Sequence, residues 1–116
     1  ITGLYEAVRS ALKQATNEGV VMCHVSHAYR DGASLYSTFL TAARSGAEIQ
    51  QWQEIKAAAC EAIVAAGGTI THHHAVGRDH APYMGAEVGE LGLEVIAAAK
   101  ERLDPAGIMN PGKLLP

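Results

Sequence analysis

With 116 residues and a formal net charge of −3, the chain suits one domain with a modest core, since a unit of that size buries only roughly two-thirds of its unfolded surface. Apolar residues make up 48 % of it, but alanine carries much of that share beside one Trp and one Phe, so few large anchors exist and close helix-to-sheet packing is expected. The acidic balance and the lack of any Lys or Arg run exclude nucleic acid or an anionic membrane as the main partner, leaving a small molecule or another protein.

From Thr2, a candidate cap, the residues Leu4, Val8, Ala11, Leu12 and Ala15 recur at helical spacing, and Gly19 supplies a stop. Val20 to Tyr29 and Ala33 to Ala42 read as two antiparallel strands joined through Arg30, Asp31 and Gly32, because Asp-Gly between such runs signals a hairpin. A two-residue Asp31-Gly32 loop would set His27 opposite Tyr36 and place Cys23, Val25, His27, Tyr29, Tyr36, Thr38 and Leu40 on one face. Ser45 and Glu48 form a capping-box pattern, and Ile49, Trp52, Ile55, Ala59 and Ile63 continue at helical spacing to Gly67 and Gly68.

Thr69 to Gly77, which contains His72, His73 and His74, has the character of a third strand running into a loop. Pro82 opens a third helix whose expected buried stripe is Val88, Leu91, Val95, Ala98 and Ala99, weakened by Gly85, Gly89 and Gly92, before Leu103, Asp104 and Pro105 close it. The tail from Ala106 to Lys113 is loop-like. The order helix, hairpin, helix, strand, helix predicts an α+β layer, a small antiparallel sheet packed with helices in a single domain over residues 1–116. Cys23 and Cys60 sit in regular apolar segments, with no signal peptide or membrane-length apolar run, so the expectation is a reducing cytoplasm and two thiols. Ile1 leads almost directly into a helix, as expected of a segment from inside a longer polypeptide.

The histidine triplet carries the strongest chemical signal, and three readings of it compete. His72 and His74 on one side of a strand could begin a metal site, although no paired-cysteine or His-Glu-x-x-His spacing accompanies them. All three could be satisfied residues at a sheet edge. As catalytic or substrate-orienting groups they would cluster with Tyr36 and Arg78. A phenol needs neighbours that stabilise its ionised form before it works as acid or base near neutral pH, and Arg78 has the fork that clamps a carboxylate or phosphate. His24, His27 and His80 read as ordinary residues.

Taken together, Ser26-His27-Ala28-Tyr29, Gly32-Ala33-Ser34-Leu35-Tyr36, the run from Gly67 to Arg78 and the closing Leu103 to Lys113 resemble the end of an FAD-linked oxidase of the vanillyl-alcohol oxidase type. Within that superfamily they are most similar to the alkyldihydroxyacetonephosphate synthase family, flavoenzymes of ether-lipid synthesis that exchange the acyl group of acyl-dihydroxyacetone phosphate for a fatty alcohol. The resemblance implies a C-terminal cap segment whose N-terminal FAD-binding domain lies elsewhere in the same polypeptide. It implies Tyr36 as acid or base beside the flavin, His72, His73 and His74 as orienting or charge-stabilising groups, Arg78 as a substrate contact, and Asn110 and Lys113 as contacts to the cofactor.

Where that family commonly reads His-His-His-Gly-Val-Gly-Lys, this chain has Ala75 and Arg78. Related 2-hydroxy-acid dehydrogenases share the Asn-Pro-Gly-Lys ending but typically carry Glu-His-Gly where this chain has His73-His74-Ala75. A hydroxy-acid dehydrogenase cap and a His-rich metal-binding module are the alternative readings. FAD is expected in the parent protein but not bound to this segment, which lacks a glycine-rich phosphate cradle. The surface left by the missing domain is an expected site of self-association.

Overall fold

A computed structural model describes residues 1–17 and 19–116; Glu18 lies outside the described residues. The order is α1 (Thr2–Ala15), β1 (Val20–Ala28), β2 (Ala33–Leu40), α2 (Glu48–Ala65), one 3-10 turn (Ala81–Tyr83) and α3 (Met84–Leu103). This is the α+β class that the sequence pattern predicts, with three helices and a two-stranded antiparallel sheet among the described residues. The described residues form two compact units, Ile1–Gly68 and Thr69–Pro116. No helix among the described residues is long and apolar enough to cross a membrane.

The first unit is built on the contact of α1 with α2. Val8 and Leu12 fall one turn apart on α1 and meet Ile55 of α2, all three buried, with Leu4, Ala15, Ala59, Ala62 and Ile63 packed around them. Val21 and Phe39 bring the hairpin onto the same cluster. Small alanines on α2 let the helices approach closely, which compensates for the shortage of large side chains. At its end Gly67 takes φ 70°, and the amides of Gly67 and Gly68 donate to Val64 O (3.0 Å) and Ile63 O (2.9 Å), a left-handed cap that favours glycine. A Cβ on Gly68 would come within 2.9 Å of Leu4 Cδ1, so any larger residue there would have to displace the Leu4 side chain.

Neither helix start uses the expected side-chain cap. Ile1 and Ala47 occupy the N-cap positions without a side-chain bond, so Thr2 and Ser45 do not cap. Glu48 does act locally: its carboxylate accepts the Gly46 amide at 3.1 Å, and backbone donors at Glu48 and Gly46 hold it below the usual carboxylate range. Ile49 is 75 % exposed, because it lies at the helix entrance away from the core cluster. At the end of α1 the polar group that matters is Thr16, 4 % exposed. Its hydroxyl donates to Leu12 O (2.6 Å) and accepts from the Gly19 amide (3.1 Å), while its carbonyl accepts from the Thr41 hydroxyl (3.0 Å).

Two expectations for the hairpin and one for the second unit need correction. Ala28 pairs with Ala33, so the connection is four residues long rather than the Asp31-Gly32 pair. Neither Asp31 nor Gly32 has the positive φ that a two-residue type I′ loop demands at both positions. The register also slips between Val25 and His27, with Ser26 as the extra residue of a bulge whose hydroxyl reaches Ser34 O (3.3 Å) and Ser34 Oγ (3.2 Å). In the second unit, Thr69–Gly77 is not a strand. His73 (φ 68°), Ala75 (φ 58°) and Gly77 (φ 61°) alternate into the left-handed region, which no extended ladder tolerates.

We expect Thr16→Val to cost about 1–2 kcal/mol in urea unfolding, since it strips the Gly19 amide of its buried acceptor. Ile49→Ala should stay within about 0.5 kcal/mol, as an exposed substitution does. Equal effects from the two changes would contradict the assignment of Thr16.

Candidate functional site

The bulge decides what surrounds Tyr36. Because pairing on the helix-distal side of Ser26 is shifted by one, Tyr36 stands opposite His24, and His27 stands opposite Ser34. The Tyr36 and His24 rings are 5.4 Å apart and nearly parallel, at 23°. Strand parity then puts Val20, Met22, His24, Tyr36, Thr38 and Leu40 on one exposed face, while Val21, Cys23, Phe39 and Leu35 turn toward the helices. Cys23 and Val25 therefore leave the Tyr36 face to which a bulge-free register assigns them. Cys23 instead accepts from the Ser37 hydroxyl at 3.5 Å. His24 reads as an ordinary residue in sequence, and it is the residue that the structure sets beside the phenol. The polar Ser26 and Ser34 are the trace of the bulge that could have revealed it.

Such a stacked pair is chemically useful. An imidazole stacked on a phenol ring orients it at the exposed face of the sheet. The ring of His27 stacks in turn on Tyr29 at 6.3 Å, and its Nδ1 lies 3.1 Å from Ser26 Oγ. The outward face thus carries imidazole and phenol groups near the turn and aliphatic groups farther from it.

In the second unit His72, His73 and His74 lie on an exposed loop, with the His72 and His73 rings 3.9 Å apart and tilted at 59°. The loop is shaped by its own polar contacts. Thr71 donates to Ala75 O (3.3 Å), the His80 ring nitrogen lies 3.4 Å from the same carbonyl, and the His80 amide reaches Val76 O (3.3 Å). Glu87 of α3 accepts the Ile70 amide at 3.1 Å and fixes the loop's entry. Ala75 holds a left-handed φ that would suit glycine better.

Arg78 and the tail come together. The Leu114 amide donates to Gly77 O at 3.1 Å, and a Cβ on Gly112 would lie 4.0 Å from Arg78 Nε, so the Arg78 side chain runs near Gly112. Asn110 and Lys113 flank that glycine in sequence. The described contacts thus bring the Arg78 loop and the Gly112–Leu114 tail together through backbone.

A carboxylate clamp that sequence reading passed over holds the tail's first turn. Asp104 pairs with Lys100 at 2.7 Å and accepts the amides of Ile108 (3.1 Å) and Met109 (3.0 Å); Lys100 also donates to Met109 O (2.9 Å). The Lys100 hydrogen bond, followed by the Met109 amide, keeps the Asp104 carboxyl below the usual aspartate range. The signal for it was the spacing of Lys100 and Asp104 by one helical turn.

Across residues 1–114 the sequence matches the family described as FAD linked oxidases, C-terminal domain. It is 42 % identical over 94 residues to an alkyldihydroxyacetonephosphate synthase of Trypanosoma brucei brucei, covering 81 % of this chain and 15 % of the relative. It is 32 % identical over 114 residues to a protein of the same name from Dictyostelium discoideum, covering 96 % and 19 %. Likeness extends to the glycolate oxidase subunit GlcD of Bacillus subtilis, 34 % identical over 100 residues, covering 86 % and 21 %. The chain thus spans between 15 and 21 % of the length of these relatives.

Since Asp104 is more acidic folded than unfolded, its stabilisation is complete above the ordinary aspartate range and is lost as pH falls through its depressed value. Hydrogen exchange of the Ile108 and Met109 amides should show protection at pH 7, less protection below about pH 4, and little in Asp104→Asn at any pH. Undiminished protection in Asp104→Asn would remove the clamp.

Proposed function

The chain belongs to the family of FAD linked oxidases, C-terminal domain, and on that premise we propose that it is the C-terminal substrate-side segment of an FAD-dependent ether-lipid synthase. In this family the C-terminal domain shares a polypeptide with an FAD-binding domain, and the parent protein is an FAD-linked enzyme. The observation that supports the finer reading is the likeness, over most of the chain, to the trypanosomal and Dictyostelium synthases. The reaction proposed for the parent is replacement of the acyloxy group of an acyl-dihydroxyacetone phosphate, which leaves as the fatty acid, by the alkoxy group of a fatty alcohol.

FAD, when bound, supplies the reactive centre of the chemistry. What this chain contributes is positioning and proton handling. Tyr36 gives or takes a proton at its phenolic oxygen, with the His24 ring stacked against it and fixing its orientation. His72, His73 and His74 offer several donors from one short loop and orient the substrate or offset its charge. Arg78 binds the substrate's anionic group, and Asn110 and Lys113, which suit a phosphate, contact the cofactor in the parent.

A second reading, a flavin-linked hydroxy-acid dehydrogenase, draws on the likeness to the glycolate oxidase subunit. The two differ in electron balance. The synthase exchange replaces one ester substituent by an ether substituent with no net oxidation, whereas dehydrogenation leaves two electrons on the flavin.

In the full-length parent with FAD, an acyl-dihydroxyacetone phosphate plus a fatty alcohol should yield the alkyl product with no lasting bleaching of the flavin absorbance. Arg78→Ala should raise KM for the phosphorylated substrate about 10-fold or more, the loss of roughly 1.4 kcal/mol or more from a charge-assisted contact. Bleaching by 2-hydroxy acids with no ether product would replace the synthase reading by the dehydrogenase one.

A further inference from the structure

The bulge at Ser26 changes more than the partner of Tyr36. His24 and His27 are three residues apart, and in an unbroken strand an odd spacing sends two side chains to opposite faces. One extra residue between them cancels that inversion. His24 stands opposite Tyr36 and His27 opposite Ser34, and Tyr36 and Ser34, two apart on β2, share a face. Both imidazoles therefore lie on the outward face with the phenol, and both are exposed. In a regular ladder one of the two would turn toward the helices.

The residue that makes the bulge also holds the ring it delivers. Ser26 is half-buried, and its Oγ lies 3.3 Å from Ser34 O, 3.2 Å from Ser34 Oγ and 3.1 Å from His27 Nδ1. A hydroxyl has one proton to give and lone pairs with which to accept. Ser34 O can only accept, so when Ser26 donates to it, Ser26 Oγ meets His27 as an acceptor and Nδ1 carries the hydrogen. The neutral ring then has its lone pair on Nε2, the nitrogen remote from Ser26. A hydrogen bond at one ring nitrogen is what selects the tautomer of a functional histidine and aims the other nitrogen. The Tyr29 ring, 6.3 Å away and inclined by 8°, packs along the same imidazole.

We propose that His27 is a second substrate-facing imidazole of the Tyr36 site and that Ser26 is its positioning residue. Ser26 places the ring through the bulge and orients it through the bond to Nδ1. Nε2 is the atom offered to a substrate hydroxyl, the group that an alcohol held beside the phenol would present. This inference rests on Tyr36 marking the site.

In the full-length parent with FAD, Ser26→Ala should lower kcat about 10-fold, the loss of roughly one hydrogen bond's worth of orientation, with the flavin spectrum and thermal midpoint near native. Ser26→Thr keeps the hydroxyl and should restore most of the rate. His27→Ala should lose on the order of 100-fold, and adding Ser26→Ala to it should cost less than about 2-fold more, because a positioning residue acts through the group it positions. Native turnover in Ser26→Ala overturns the proposal, and so do losses that multiply in the double variant, which would leave Ser26 a structural residue. His27→Asn keeps a polar atom within reach of Ser26 Oγ but has nothing in the place of Nε2. It should fall as far as His27→Ala, and native turnover there overturns the proposal even if Ser26→Ala unfolds. Tyr36→Phe separates the two readings. A loss there with native turnover in Ser26→Ala and His27→Ala sinks the role of His27 alone, and native turnover in all three sinks both.

Discussion

Everything that the hairpin offers to solvent follows from the seating of Val21 and Phe39 on Val8, Leu12 and Ile55. A strand alternates its side chains, so once those two residues are committed inward, Met22, His24, Tyr36 and Thr38 must point outward. The apolar contact is thus also what orients the phenol. It is a small core, and alanines at the α1 and α2 contact let it form without large side chains. Removing the inward anchors would free the register, and a slip by one residue would carry Tyr36 to the other face.

The second unit solves a different problem. A loop rich in histidine with three left-handed residues is not stable through regular hydrogen bonding, and it is held instead by scattered ties: Glu87 to Ile70 at its entry, Thr71 and His80 on Ala75 O, and Leu114 to Gly77 O at its exit. The tail is in turn clamped by Asp104 and Lys100. Loop geometry here is a chain of dependent contacts, and each link bears on where the imidazoles and Arg78 are presented. Loops of this kind are where binding and catalytic groups concentrate.

Sequence pattern reveals much of this fold, for physical reasons that also explain where it fails. Helical spacing of Leu4, Val8, Leu12 and of Ile55, Ala59, Ile63 marks α1 and α2 because burial of one face dominates their stability. Turn residues reveal the hairpin, but its register hangs on one extra residue at Ser26, which no periodicity marks on a face already polar. The triplet His72-His73-His74 is visible as chemistry and invisible as conformation, since the left-handed φ values of His73 and Ala75 are set by contacts outside the triplet. The stripe on α3 is legible as apolar, yet Leu91 and Val95 are exposed, because periodicity marks a face without saying what covers it. The family resemblance read from the Gly67 to Arg78 run and the closing Asn-Pro-Gly-Lys agrees with the match over residues 1–114.

At the centre of this reading is a phenol at position 36 that handles a proton, stacked on the imidazole of His24. The most direct measurement is the pH dependence of turnover in the FAD-loaded parent, compared among the native protein, Tyr36→Phe and His24→Phe. The expected result is a loss of roughly 100-fold or more in Tyr36→Phe, the range for a general acid or base, with the flavin spectrum unchanged. For His24→Phe, which keeps a ring against Tyr36, substantial activity should remain. Native turnover in Tyr36→Phe with intact FAD would contradict it.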